Sequence, residues 1–149
     1  MDPIFRNEIK REYNDTAKFK VFLGDSDRTG ADLQNYIRRL AVMAKLYGVV
    51  YVIVNNETEI GETVQDSLNK RALPYLAHVL PAEVTHWRFD ERGRMTEFGY
   101  KNTVKDAEDK AKTRYYTWTQ TSWAVADENM QIIRQGQHAL GRLPVVQYF

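Results

Sequence analysis

The stretch from Gly48 to Asn55, Gly48-Val49-Val50-Tyr51-Val52-Ile53-Val54-Asn55, decides the fold. Six β-branched or aromatic residues run without a break between a glycine and an asparagine pair. That is the signature of a strand buried on both faces rather than of a helix. The pattern on its N-terminal side has a different period. Leu33, Tyr36, Ile37, Leu40, Ala41, Ala44 and Tyr47 fall on one side of a 3.6-residue repeat, and Arg38, Arg39 and Lys45 fall off it. This predicts an amphipathic helix that ends at Gly48, where a left-handed residue is wanted. Thr29, three residues before Asp32, has the spacing of a capping box and is the expected cap.

Further toward the N-terminus, Asp2-Pro3 reads as a helix start, and Ile9, Tyr13 and Ala17 recur every four residues. Phe19 to Leu23 fits helix or strand. Residues 1–48 are thus expected to be mainly helical.

On the C-terminal side the period is two. Residues 55–66 hold four acids (Glu57, Glu59, Glu62, Asp66) and no base, which predicts a solvated excursion, with a short helix possible over Thr63–Arg71. Strands are expected at Pro74–Leu80, Val84–Phe89 and Arg94–Lys101, the last two joined by the turn Asp90-Glu91-Arg92-Gly93. Val104–Lys112 reads as a charged hairpin tip or one exposed helical turn. Thr113–Ala126 reads as one long, bent strand, which Asp127-Glu128-Asn129 turns into Met130–Gln135. On such a strand Trp118 and Trp123, an odd number of residues apart, would face opposite ways. Val145–Phe149 is a last strand. The fold class is therefore α+β, N-terminal helices followed by a mainly antiparallel sheet, in a single domain over 1–149 (helical 1–48, β-rich 49–149).

Composition narrows the function. The 149 residues include 21 Lys and Arg against 20 Asp and Glu, which excludes a strongly basic nucleic-acid arm or a polybasic membrane segment. No cysteine is present, so disulfides, thiolate catalysis and Cys-ligated zinc are excluded. The longest apolar run is far too short to span a bilayer, and Met1–Lys10 is too charged for a signal peptide.

Candidate motifs were weighed against plainer readings. Asp25-Ser26-Asp27-Arg28-Thr29-Gly30 begins like a calcium loop, but Tyr36 stands where the bidentate Glu belongs and Asp32 where an apolar residue belongs. A polar loop between helices explains it better. Gly136 and Gly141 have phosphate-loop spacing, yet Arg142-Leu143-Pro144 replaces the lysine, the hydroxyl and the helix that such a loop needs. His78, His86 and His138 have no zinc-binding spacing and read as ordinary polar side chains. No serine elbow or dinucleotide turn is present. Neither metal nor cofactor is expected. Between Lys112 and Trp123 aromatics alternate with bases and threonines, as in single-strand binders. Tyr115, Tyr116, Trp118 and Trp123 are the candidate stacking residues, although the same residues suit any half-buried strand.

His138-Ala139-Leu140-Gly141-Arg142-Leu143-Pro144-Val145-Val146 resembles the H-x-L-G-+-x-P-V-V segment of portal proteins of tailed bacteriophages, also carried in prophages. Leu40–Val52 resembles that family's helix, A-x-x-x-G and buried-strand element, and Pro81–Val84 with the Asp90–Gly93 hairpin resembles its P-x-x-V … D-x-x-G hairpin. The order of these pieces over about residues 30–148 carries the resemblance, while residues 55–73 have no place in it. It implies an N-terminal, wing-type fragment of a longer portal chain, with His138, Gly141, Arg142 and Pro144 as structural residues. The implied function is structural, in capsid assembly and DNA packaging, without catalysis. The implied partners are other portal subunits in a homo-oligomeric ring, capsid or scaffold proteins and the DNA that passes through, with no membrane. The place is the virion, or the host cytoplasm when expressed from a prophage. By itself such a piece is expected to be monomeric or weakly associating. Two other functions compete with it, a small metal-dependent hydrolase domain and a single-strand nucleic-acid-binding module.

Overall fold

A side-chain oxygen caps the N-terminus of each helix in this computed structural model, which describes residues 16–55, 73–105 and 108–149. The expected helix start at Asp2-Pro3, the acidic excursion and the short helix over Thr63–Arg71 lie outside the described residues. The fold class is α+β, with two α-helices followed by eight strands among the described residues. Residue contacts group into two compact units, 1–78 with 147–149, and 79–146.

In the first unit, α1 (Ala17–Gly24) resolves the ambiguous Phe19–Leu23 run as helix. Thr16 caps it by accepting a hydrogen bond from the Phe19 amide, and Phe19 stacks on Phe22 one turn on, with centroids 5.8 Å apart. Helix α2 (Leu33–Tyr47) buries Tyr36, Leu40 and Ala44 of the predicted stripe and packs on strand β1 (Val50–Asn55). Its cap is Asp32, whose Oδ1 accepts from the Asn35 amide at 2.8 Å, and not Thr29. Thr29 fails as the cap because Arg28 and Gly30 both have positive φ, which turns the chain away from a helical path. Lys45 lies in the last turn, favourable for the helix dipole. Gly48 ends the helix at φ 81°, where any side chain would be strained.

Strand β1 (Val50–Asn55) buries Val50 to Ile53, as an unbroken apolar run requires. Its position explains this. It is the centre of a three-stranded sheet, between β2 (Tyr75–Val79) and β8 (Val145–Tyr148). The loop between the helices is tied to this sheet by Ser26, fully buried, whose carbonyl accepts from the Leu76 amide at 2.7 Å.

The second unit is a five-stranded antiparallel sheet in sequence order: β3 (Val84–Phe89), β4 (Met95–Lys105), β5 (Ala111–Thr119), β6 (Ser122–Ala126) and β7 (Ile132–Gln137). The long strand expected over Thr113–Ala126 is instead two strands joined at Gln120-Thr121. Thr119 makes the turn. Its Oγ1 accepts from the amides of Thr121 and Ser122 and bonds the Ser122 hydroxyl at 2.8 Å. Side-chain hydroxyls here do what Gly, Asn or Asp usually does. Trp118 and Trp123 therefore pair directly across the hairpin and share a face, which corrects the expectation of opposite faces. The stretch Val104–Lys112 is the outer end of the β4–β5 hairpin, the tip that was one of its two expected forms, and the pairs of Val104 with Lys112 and Lys105 with Ala111 are the last of the ladder.

Candidate functional site

Cross-strand pairing sorts the sheet's side chains into two faces. One row crosses all five strands: Trp87, Phe98, Trp118, Trp123 and Gly136. The next row holds Val84, Tyr100, Tyr116, Val125 and Arg134 on the same face. Tyr100 stacks on Tyr116 with centroids 4.8 Å apart and planes 6° from parallel. Trp118 lies 6.2 Å from Trp123 and 6.1 Å from His138, and Arg134 sits over the Trp123 ring. Phe98 is fully buried and Trp118 is 7% exposed, so this is the core side.

Of the four candidate stacking residues, Tyr116, Trp118 and Trp123 come together on this face, and Tyr115 belongs to the other. Trp118 has almost no ring surface left for a base. The other face is polar, with His86, Arg88, Glu97, Lys101 and Gln135. There His86 Nε2 meets Glu97 Oε1 at 3.2 Å, and Arg88 lies 3.6 Å from the same carboxylate.

The segment from His138 is anchored at its start. The His138 amide donates to the Thr121 carbonyl at 2.8 Å, and its Nε2 donates to the Thr119 carbonyl at 3.0 Å. That fixes the tautomer, so the buried Nδ1 is an acceptor, and it has no partner among the described residues. Gly141 has φ 63°, Arg142 is exposed, and Leu143 and Pro144 are buried where the chain enters β8.

The carboxylates of the loop between the helices serve the loop itself. Asp25 accepts from the Gly30 amide. Asp27 accepts from the Thr29 amide and hydroxyl and from the Ala31 amide, and it pairs with Arg39. Burial alone would raise the Asp27 carboxyl, but those hydrogen bonds outweigh it and hold it below the ordinary value. Nearby, Arg28 lies 4.2 Å over the Tyr75 ring and donates to the Leu73 carbonyl at 3.3 Å. They border a cavity of about 50 Å³, also lined by Val21, Phe22 and Asp25. Ligand sites take roughly 300–1,000 Å³, so this one suits a water or two. Tyr36 is buried under Arg39, 6.1 Å from His78, and its hydroxyl has no partner among the described residues.

No group of three or more His, Asp or Glu side chains among the described residues converges as a metal site would. No helix among them is long and apolar enough to cross a membrane. The chain matches no family model and no curated protein.

What sequence reading missed is at the sheet's edges. Trp87 and Phe89 on β3, and Met130, Ile132 and Ile133 at β7, are exposed. A hydrophobicity pattern cannot separate an edge strand from a buried one; only the pairing order does.

Proposed function

We propose that this chain is a structural piece of a portal-type ring, acting in capsid assembly and DNA packaging and not in catalysis. The observation that carries the reading is the shape of the chain from His138 to Val145. His138 is bonded to the β5–β6 turn, Gly141 takes a positive φ, Pro144 is buried and Val145 opens a strand. Each falls on a position of the H-x-L-G-+-x-P-V-V pattern and has a structural task there.

The sheet edges support the same reading. An edge strand presents unpaired N–H and C=O groups, which proteins usually guard with charge or irregularity. Strand β7 carries one charge, Arg134, and adjoining exposed apolar residues at 130, 132 and 133. Such a surface suits contact with another subunit, and head-to-tail contacts of that kind close into rings.

The test is to express the full reading frame and examine the product by sedimentation and negative-stain electron microscopy. A closed ring of identical subunits is the expected result. A monomer at every concentration, or an open filament, would overturn the reading.

A further inference from the structure

We infer that the outer part of the β4–β5 hairpin, residues 101–105 with 111–114, is a two-stranded ribbon that binds duplex DNA, with Asn102 and Arg114 toward the base edges and Lys101 toward phosphate. The ladder between β4 and β5 outruns both of its neighbours. Strand β3 stops pairing with β4 at Tyr100, and β6 stops pairing with β5 at Tyr115. Beyond those points the pairs Asn102–Arg114, Thr103–Thr113, Val104–Lys112 and Lys105–Ala111 have no strand on either flank among the described residues. Lys101, Asn102, Thr103, Lys105, Ala111 and Lys112 are exposed. Val104, Thr113 and Arg114 are half-buried and none of the ribbon's residues is fully buried, so this two-stranded part adds little to stability.

Its charge points to the partner. Residues 101–105 and 111–114 hold Lys101, Lys105, Lys112 and Arg114 and no acid, in a chain whose net charge is only +1. Asp106, Glu108 and Asp109 follow between the two strands, and two of these acids are matched locally. Asp109 pairs with Lys105 at 2.8 Å, and Glu108 with Lys110 at 2.7 Å. Lys101 and Arg114 make no ion pair among the described residues. A surface of this charge complements a phosphodiester backbone.

Shape narrows the partner to a duplex. The major groove, about 12 Å wide, admits a two-stranded ribbon. Asn102 and Arg114 are directly opposed, hence side by side on one face. Asparagine can pair bidentately with an adenine edge and arginine with a guanine edge. The ribbon lies away from the row of Trp118 and Trp123, so base stacking has no part in it. The inference does not depend on ring assembly, which is read by a different experiment.

The test is fluorescence anisotropy of a labelled 20-base-pair duplex titrated with the 149-residue protein at several salt concentrations. Binding near 10⁻⁵ M is expected, roughly the non-specific range, with log K falling against log salt with a slope of about −3. Changing Lys101→Ser and Arg114→Ser together should weaken binding at least tenfold and reduce that slope by about 1, since only Lys101 is on phosphate. Asn102→Ala should weaken binding a few-fold and leave the slope unchanged. Arg92→Ser, in the exposed turn at the other end of β4, should bind as the parent does. If the double variant loses its β-sheet circular dichroism, Lys101→Gln alone serves, with a slope reduced by about 1. No binding up to about 100 µM at low salt, variants that bind like the parent, or a single strand bound more tightly than the duplex would each overturn the proposal.

Discussion

The imidazole of His86 lies over Gly99, its partner on the neighbouring strand. A β-carbon built on that glycine would stand 2.1 Å from Cε1 and 2.3 Å from Nδ1. The ring covers a gap that would otherwise leave the β4 backbone open, and it reaches on to Glu97. Gly99→Ala must push the ring toward solvent and should cost about 1 kcal/mol. With His86→Ala already in place, the same change should be neutral or gain about 0.5 kcal/mol, because glycine is otherwise a poor strand residue. A double-mutant cycle by urea unfolding reads the sign change, and equal costs in both backgrounds would refute the account.

Tyr36 gives an opposite case, a buried group whose removal should help. Its hydroxyl has no partner among the described residues, so Tyr36→Phe removes a desolvated polar atom while keeping the ring. A gain of about 1 kcal/mol is expected. Burial, with Asp27 adding to it, holds this phenol well above its ordinary value. A raised value means the contribution is complete below about pH 10, the unfolded value. It is lost as pH climbs from there toward the folded value. The parent should therefore lose stability above pH 10 by a margin that the Phe variant does not show. Thermal melts across alkaline pH check this.

Asp90 shapes the acid side. It holds the β3–β4 turn, with Oδ1 accepting from the Arg92 and Arg94 amides and Oδ2 from Arg94 Nε. The backbone hydrogen bond from Arg94 comes first among the causes that keep its carboxyl below the ordinary 3.8. The stability from a lowered carboxyl is present above its unfolded value and disappears as pH falls through the folded one. Asp90→Ala should lower the urea midpoint at neutral pH, and the difference from the parent should close below pH 3.8. A gap independent of pH would show that the carboxylate charge has no part in the turn.

Trp118 and Trp123 are neighbours on one face but unequal in burial. Trp118→Ala empties a core site and should cost about 3–5 kcal/mol. Trp123 keeps some exposure, so Trp123→Ala should cost only about 1–2 kcal/mol. Equal losses in urea unfolding would contradict the placement of the two rings.

Much of the architecture was legible where one signal stood alone. The Val49–Val54 run reads as a strand buried on both faces, and the stripe from Leu33 to Ala44 reads as a helix face. The turns at Asp90–Gly93 and Asp127–Asn129 advertise themselves with Asp, Asn or Gly. The break after Thr119 was hidden because Thr119-Gln120-Thr121-Ser122 contains none of those residues and reads as ordinary strand. Asp32 was hidden as a cap because Thr29 offered the same chemistry one turn early, and only the backbone at Arg28 and Gly30 decides between them. Of the candidate stacking residues, composition gave the aromatic cluster but not its division between faces, which hangs on that same concealed break. The ribbon escaped notice because its alternation is polar on both sides.

The closeness of Trp118 and Trp123, 6.2 Å between ring centres with planes at 35°, also has an optical consequence. Two indoles so near and so oriented couple their electronic transitions, and the pair absorbs circularly polarised light as one chromophore. The protein thus carries a built-in gauge of the β5–β6 hairpin. A split circular dichroism signal from the pair is expected to last as long as the turn at Gln120-Thr121 stays closed and to vanish when the two strands part, even if the rest of the chain is still folded.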